Sequence, residues 1–476
     1  MTTTTTATPD ERTAVLPRVD DAVAAARSST GAWAGLTAAR RRHHLLQWKR
    51  EMYRTRDEIR AILRDEAGKV HFDATLELTM ALHHLDWAAR SAGRVLAPER
   101  VRPGMMMLDH ETSIERRPYG VVGVIGPWNY PVYTPLGSIS YALAAGNAVV
   151  FTPSEYATCA AEWLGRTFAD ATGLDDVFRV VPGGPAAGCA LTSSDVDKVA
   201  FTGSAATGRL VMAACAERLI PVVMELGGKD AAIVADDADI SAAVDAILWG
   251  ATMNAGQSCA GIERVYVVEE VADEFTRILT ERARDLRAGV DYGAMTMERQ
   301  AGIVARHIGA AVADGGRALV GGPQSVRGRL VDPVILADVP EESVAARDET
   351  FGPTLIVAVV PDVATAIVRA NAVDTGLGGA VFSRRRGRQI ARGLGVGMVA
   401  INDVVSFGAT PALPFGGRGA SGFGRIHGVD GLREFTYPVA VSRRRALHLP
   451  SRASTHRRHA WDVPSLHALL CLVGRR

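Results

Sequence analysis

The sequence predicts an α/β protein built from two lobes of parallel sheet. Two observations carry that prediction. Short apolar β-rich runs alternate with alanine-rich helical segments through most of the 476 residues, and the runs fall into two successive series. Parallel strands covered by helices on both faces read as continuous apolar runs, not as alternating ones.

Residues 36–68 read first as one helix, with Leu45, Trp48, Met52, Ile59, Ile62 and Leu63 near helical spacing among arginines and glutamates. The first strand series is Val121–Ile125, Ala148–Phe151, Phe178–Val181, Val199–Thr202 and Val222–Met224. The second is Ala231–Val234, Val265–Val268, Leu355–Val360, Ala380–Phe382 and Met398–Ile401, with the pair Gly227–Gly228 near the change.

Composition narrows the function. The chain is 47% hydrophobic and 22% charged with a net charge of +1, so no overall field favours nucleic acid or an anionic membrane. Five cysteines (159, 189, 215, 259 and 471) occur singly, without CxxC pairs or metal-ligand spacing, which fits a reducing, cytoplasmic compartment. The first ten residues lack the basic start and apolar stretch of a secretory signal and read as a frayed tail. No apolar run approaches the roughly 20 residues a spanning helix needs. Near the C-terminus, Arg443, Arg444, Arg445, Arg452, Arg457 and Arg458 precede a short apolar patch, Leu466–Val473. A solvated tail with one docking turn is expected there, with weak membrane-surface contact as the alternative.

Four separated segments carry chemistry. Asn254-Ala255-Gly256-Gln257-Ser258-Cys259 sets a cysteine among small residues. Taken alone it suits an inert buried hydrophobe as well as a nucleophile. A thiolate can, however, attack a carbonyl carbon and then tolerate departure of hydride. Met224-Glu225-Leu226-Gly227-Gly228-Lys229 ends a strand with a carboxylate, a salt-bridge or capping partner or, partly buried, a base for water. Gly126-Pro127-Trp128-Asn129-Tyr130-Pro131 is a stiff turn after a strand. Its Asn129 amide either serves the turn or donates to an oxyanion, a role worth about 2.7–4 kcal/mol in comparable holes. Phe201-Thr202-Gly203-Ser204-Ala205-Ala206-Thr207-Gly208 feeds a strand into a helix through a turn that aims backbone N–H groups at a phosphate.

Together these segments, with Glu349-Thr350-Phe351-Gly352-Pro353 and Pro414-Phe415-Gly416-Gly417, resemble the aldehyde dehydrogenase superfamily from about residue 20 to about residue 440, in family order. The 34-residue separation of Glu225 and Cys259 matches as well. The resemblance implies two Rossmann-like lobes, for cofactor and catalysis, and a small β oligomerisation arm drawing on residues near Glu111–Arg117 and Phe435–Val441. It places the dinucleotide-binding part in 1–226 (oligomerisation strands near 111–120), the catalytic domain in 227–420, a return segment with an oligomerisation strand in 421–442, and a basic tail in 443–476.

Carried over residue by residue, it makes Cys259 the nucleophile on a small-molecule aldehyde. Asn129 and the Cys259 N–H become oxyanion donors and Glu225 the base for thioester hydrolysis. Pro127, Trp128, Thr152, Glu155, Gly203, Ser204, Gly208, Leu226, Glu349 and Phe351 become cofactor contacts, with Glu349 on the nicotinamide ribose, Phe351 beside the ring, and Gly203 and Gly208 permitting close approach. Tyr130, Tyr133 and Phe407 become the substrate pocket, and no metal is required. Thr152 stands where the family usually has lysine, while Glu155 keeps the carboxylate that binds ribose hydroxyls and repels a 2′-phosphate, favouring NAD. Arg418 stands where many members have lysine, Gly137 where some place a bulky aromatic. Ile401–Phe407 resembles the fatty and aromatic branch, pointing to a medium-chain or aromatic aldehyde and a homodimer or higher homo-oligomer. Two other readings are acyl transfer to coenzyme A, against which Glu225 argues, and a dinucleotide-binding scaffold with little turnover, against which Cys259 and Glu225 both argue.

Overall fold

From Val121 onward strands and helices alternate as the apolar runs predict. The computed structural model describes residues 9–104, 107–445, 460 and 462–474. Two compact units separate: one comprises residues up to Val95 with Pro118–Thr436, the other Leu96–Arg117 with Tyr437–Arg476.

The first unit opens with helices α1 (Pro9–Gly35), α2 (Ala38–Arg54), α3 (Arg56–Ala67) and α4 (His71–Val95). The single helix expected over 36–68 is therefore two. Its break falls at Thr55, whose hydroxyl donates to the Glu51 carbonyl (2.9 Å) and accepts from the Trp163 indole (3.1 Å). A hydroxyl bonded back to the preceding turn bends a helix, and the distant indole holds it there. The helix α1 already contains Pro9 and Asp10, the last two residues of the expected frayed tail; residues 1–8 lie outside the described residues.

A six-stranded sheet follows, formed by β1 (Val121–Ile125), β2 (Ala148–Thr152), β3 (Phe178–Val180), β4 (Lys198–Gly203) and β5 (Val222–Leu226), with Gly422–Phe423 antiparallel on the β5 edge. The five main strands are parallel in the order β3-β2-β1-β4-β5. In such a sheet the order reverses beside β1, and the crevice outside the strands' carboxyl ends receives a dinucleotide. Val121, Val150, Val199 and Met224 share one buried core with Val19, Val23 and Ala26 of α1. On that face each fully buried valine or methionine contributes about 1.5–3 kcal/mol.

The second sheet has seven strands: β6 (Ala231–Val234), β7 (Arg264–Val268), β8 (Arg317–Val320), β9 (Val334–Ala337), β10 (Thr354–Val360), β11 (Gly378–Phe382) and β12 (Met398–Ile401), ordered β8-β9-β10-β7-β6-β11-β12. Only β8, on the edge, runs antiparallel. The sequence reading missed β8 and β9. Both faces are filled, one by Val244, Ile247, Phe275 and Leu279 against Val265 and Leu355, the other by Ile233, Tyr266 and Val381.

Buried Asn147 ties the first sheet to the end of the unit. Its Nδ2 donates to the carbonyls of Ala142 (3.0 Å) and Phe435 (2.9 Å), and its Oδ1 accepts from the Gly120 N–H (3.0 Å).

In the second unit, His110–Pro118 is the middle strand of three, flanked by Glu99–Val101 and Thr436–Arg444. Within it Arg444 donates to Asp109 (3.0 Å) and Arg443 to Glu111 (2.6 Å). The apolar C-terminal patch lies in a helix, Asp462–Gly474, with Leu466 and Leu470 exposed, so the expected docking turn is longer than a turn and shows its apolar side. Arg452, Arg457 and Arg458 lie outside the described residues. Among those described, no helix is long and apolar enough to cross a membrane.

Asn147→Ala removes the side-chain partner of the buried Phe435 carbonyl and of the part-buried Gly120 N–H, each costing about 1–3 kcal/mol if left unpaired. Thermal unfolding of this variant is expected roughly 3–10 °C lower, with the same circular dichroism spectrum at 25 °C. An unchanged midpoint would remove Asn147 from the stabilising contacts.

Candidate active site

The residues singled out in the sequence gather where the carboxyl ends of the first sheet face the amino ends of the second. Asn129 follows β1, Gly203 and Ser204 end β4, and Glu225 and Leu226 end β5. The loop with Cys259 precedes β7, and the loop with Glu349 and Phe351 precedes β10.

The loop leading to Cys259 is strained. Asn254 (φ 53°), Ala255 (φ 57°) and Gly256 (φ 70°) are three successive left-handed residues. Such geometry costs a non-glycine residue roughly 1–2 kcal/mol and persists only where surroundings over-determine it. At Gly256 only glycine fits, because a Cβ would stand 2.1 Å from the Gly352 carbonyl carbon. The cysteine loop and the Glu349–Pro353 loop are thus pressed backbone to backbone.

Side-chain amides lock this loop to the Asn129 turn. Asn129 Nδ2 donates to the Gln257 carbonyl (3.1 Å), while Asn254 Nδ2 donates to the carbonyls of Asn129 (2.9 Å) and Gln257 (3.1 Å). Gln257 Nε2 donates in turn to the Asn254 carbonyl (3.0 Å).

Glu225 is 3% exposed, and neither carboxylate oxygen has a hydrogen-bond partner. Burial pushes its pKa up to about 7, partly offset by the facing Cys259 thiol. Cys259 is half-buried, free of any disulfide, and pushed well above the usual thiol range, first by burial and then by the charge of Glu225. Thiol and carboxyl therefore share a space in which burial discourages both ionisations, and the charge of Glu225 further discourages that of the thiol.

Glu349 accepts at Oε1 from the Gly228 N–H (3.0 Å), and a Cβ on Gly227 would meet its carboxylate at 2.2 Å. Burial raises its pKa as well. Phe351, itself left-handed (φ 55°), meets Trp128 edge to face at 5.4 Å, joining two of the expected cofactor residues. Ser204 caps the helix Ala205–Glu217 by accepting from the Thr207 N–H (3.2 Å). A Cβ on Gly208 would strike the Leu226 side chain at 2.7 Å, and one on Gly203 the Phe201 ring at 2.7 Å. These two glycines therefore let the helix and strand end pack closely.

Thr152 adjoins the Asn129 turn through its backbone, its carbonyl accepting from the Gly126 N–H (3.1 Å). It is 1% exposed, with its hydroxyl turned to the Val124 carbonyl at 3.5 Å, because a side chain at that strand position points into the sheet packing. Glu155 is exposed beside the turn at Gly184.

The expected substrate pocket is only partly assembled. Tyr130 and Tyr133 meet at 6.3 Å, and the Tyr133 hydroxyl donates to the Gly408 carbonyl (2.7 Å). Phe407 instead packs on Phe415 and toward Gly378. Beside Tyr133 lie two histidines that the sequence reading missed. His84 binds the Gly408 carbonyl (2.9 Å), and the His427 ring lies tilted against it at 4.0 Å with both ring nitrogens unpartnered. Burial lowers both, His84 to about 4, so both are neutral. His427 Nε2 would be 2.6 Å from a Cβ on Gly137, so the histidine fills the space beside that glycine.

Also missed were two buried lysine–glutamate pairs, Lys69–Glu77 and Lys229–Glu263. Glu263 accepts from the backbone N–H groups of Thr350 (2.9 Å) and Phe351 (2.8 Å), fixing the loop that presents Glu349. Lys229 lay within a quoted motif, but nothing in the sequence pointed to its partner. No group of three or more metal-ligating side chains occurs among the described residues.

A sheet of this strand order, with a capped helix start and a facing thiol–carboxyl pair at its carboxyl edge, suits a dinucleotide-binding enzyme. The chain belongs to the aldehyde dehydrogenase family, whose sequence model, described as "Aldehyde dehydrogenase family", matches residues 2–441. It is 39% identical over 416 residues to 4,4′-diapolycopene aldehyde oxidase of Methylomonas sp, covering 86% of this chain and 78% of that one. It is 37% identical over 449 residues to a putative succinate-semialdehyde dehydrogenase [NADP(+)] of Mycolicibacterium smegmatis, covering 90% and 85%. Among solved structures, PnpE in complex with nicotinamide adenine dinucleotide superposes with a TM-score of 0.87 at 29% identity, covering 92% of each chain.

The raised pKa of Glu225 means that the folded protein binds this proton more tightly than the unfolded chain does. Its stabilising effect is complete below pH 4.5 and is lost as pH rises through about 7. Relative to wild type, Glu225→Gln is therefore expected to gain stability between pH 5 and pH 8, by on the order of 3 kcal/mol. Melting curves at both pH values test this, and an equal offset at the two would refute burial as the cause.

Proposed function

We propose that the protein oxidises an aldehyde to its carboxylic acid through a covalent adduct on Cys259, with NAD as hydride acceptor. The carrying observation is the desolvated pair of Cys259 and Glu225, two proton-holding groups without ionic partners. As the Cys259 sulfur attacks the carbonyl carbon, its proton passes to Glu225. The oxygen that becomes negative is met by Asn129, whose amide has two N–H groups and commits one to Gln257. Bound nicotinamide supplies the acceptor for the hydride that leaves the tetrahedral carbon. Glu225 gives that proton to solvent, takes another from a water whose oxygen displaces the thioester sulfur, and returns it to the departing thiolate as the acid is released.

The residues present suit a dinucleotide. The start of Ala205–Glu217 offers N–H groups to a pyrophosphate. Glu349, held against Gly227–Gly228, would grip the nicotinamide ribose, with Pro127, Trp128 and Phe351 beside the ring and the backbone at Leu226 near it. The charge of Glu155 supports NAD over a 2′-phosphorylated cofactor. One relative is named for NADP(+) and one neighbour holds nicotinamide adenine dinucleotide, so the choice falls to residues such as Glu155.

The pocket favours a medium-chain or aromatic aldehyde. Tyr130, Tyr133 and the neutral His84 and His427 present rings and no cation for a substrate carboxylate. The three-stranded sheet of the second unit, extended by another copy, supports a homodimer.

With NAD, a panel of aldehydes is expected to yield NADH fastest for aromatic and medium-chain members. Cys259→Ala abolishes turnover, and Glu225→Gln, unable to take the proton of the thiol or of water, slows both the first NADH formed and the release of acid. Preference for succinate semialdehyde would overturn the substrate class, and turnover surviving in Cys259→Ala the mechanism. Glu155→Gln is expected to raise relative activity with NADP; an unchanged ratio would discharge Glu155 from that selection.

A further inference from the structure

Lys69 is a cation without access to water. It lies between α3 and α4 and is 2% exposed. Its ammonium donates to the Asn129 carbonyl (2.9 Å) and to Asn254 Oδ1 (2.7 Å), and lies 4.1 Å over the Tyr130 ring. Glu77 Oε2 stands 3.0 Å away as counter-ion, off hydrogen-bond geometry, while Glu77 Oε1 accepts from the N–H groups of Val132 (2.8 Å) and Tyr133 (3.1 Å). Burying an ammonium costs several kcal/mol unless its partners are fixed, so these contacts fix the groups as much as they stabilise the charge.

We propose that Lys69 is a positioning residue that aims the Asn129 amide at the developing oxyanion, an inference that rests on the oxyanion role given to Asn129 above. The Asn129 carbonyl has two side-chain donors, Lys69 and Asn254, and the same ammonium holds Asn254 in its left-handed conformation. One ammonium thereby sets both the turn carrying the oxyanion donor and the loop carrying the nucleophile. Its removal leaves Glu77 buried without a counter-ion and lets the two backbones drift apart. The loss falls on steps that create an oxyanion and spares those that do not.

Two reactions of Cys259 separate these cases. Acylation by p-nitrophenyl acetate builds charge on a carbonyl oxygen; alkylation by iodoacetamide builds none there. Lys69→Met is expected to slow acylation, and kcat for aldehyde oxidation, by about 10- to 100-fold. Alkylation and NAD affinity are expected to stay within about twofold, and the double variant Lys69→Met/Asn129→Ala to be no slower than Asn129→Ala beyond about twofold. Lys69→Arg is expected to recover part of the rate, and it replaces Lys69→Met in the cycle if the methionine variant does not fold. Multiplying effects in the double variant, an equal fall in alkylation, or unchanged acylation would each overturn the proposal. Unchanged acylation in Asn129→Ala would instead sink the oxyanion role itself, which separates the two failures.

Discussion

The site depends on two buried lysine–glutamate pairs set under the turns that carry it. Lys69–Glu77 lies under the Asn129 turn and Lys229–Glu263 under the Glu349–Phe351 loop. In each pair the carboxylate spends its remaining capacity on two consecutive backbone N–H groups, Val132 and Tyr133 in one case, Thr350 and Phe351 in the other. Charge-assisted bonds of this kind are about twice as strong as neutral ones, and burial makes them hard to exchange for water. Two irregular loops thereby gain the rigidity of sheet. Lys229 also donates to the Thr350 hydroxyl (3.1 Å), which the His307 ring contacts from the far side (3.1 Å), so the second loop is gripped by side chain and backbone together.

Between these satisfied charges lies the pair that is not satisfied. Glu225 and Cys259 are held in the same protein medium with no cation beside them, and burial moves both toward their neutral forms. The contrast has a physical logic. A carboxylate clamped by lysine and N–H groups is fixed in charge and useful only for holding; one left bare near pH 7 can change charge at small cost. Strain follows the same division. Left-handed Asn254, Ala255 and Phe351 all sit where a buried pair or an amide network can hold them.

Both lobes were legible because their strands are parallel and covered on two faces, which writes them as unbroken apolar runs. Val121–Ile125 and Ala231–Val234 could be read to the residue for that reason. The strand β8 could not, since Arg317 and Ala318 are exposed on an antiparallel edge, and the helix break at Thr55 is decided by Trp163, more than a hundred residues away. The same divide runs through the site. Residues carried by local motifs were found and come together; Lys69, Glu77 and Glu263 were not, because their roles exist only in partners 50 to 185 residues distant. Thr152 shows the converse. Its position in the motif was clear, but the inward direction of its side chain belongs to the sheet.

Packing beside the helix Tyr133–Ala145 is non-local in the same sense. Gly137 on the helix Tyr133–Ala145 and His427 on the return segment occupy one volume between them, since a Cβ on the first would press the second's imidazole at 2.6 Å. Neither residue means much singly. The glycine reads as a vacancy in the pocket wall until the histidine is seen to fill it, and the histidine as an unexplained buried base until the glycine is seen to admit it. A ring bearing two unused nitrogens is not equivalent to the aromatic side chain that some relatives carry on the helix itself. It fills the space beside Gly137 while carrying a donor and an acceptor that no protein group satisfies.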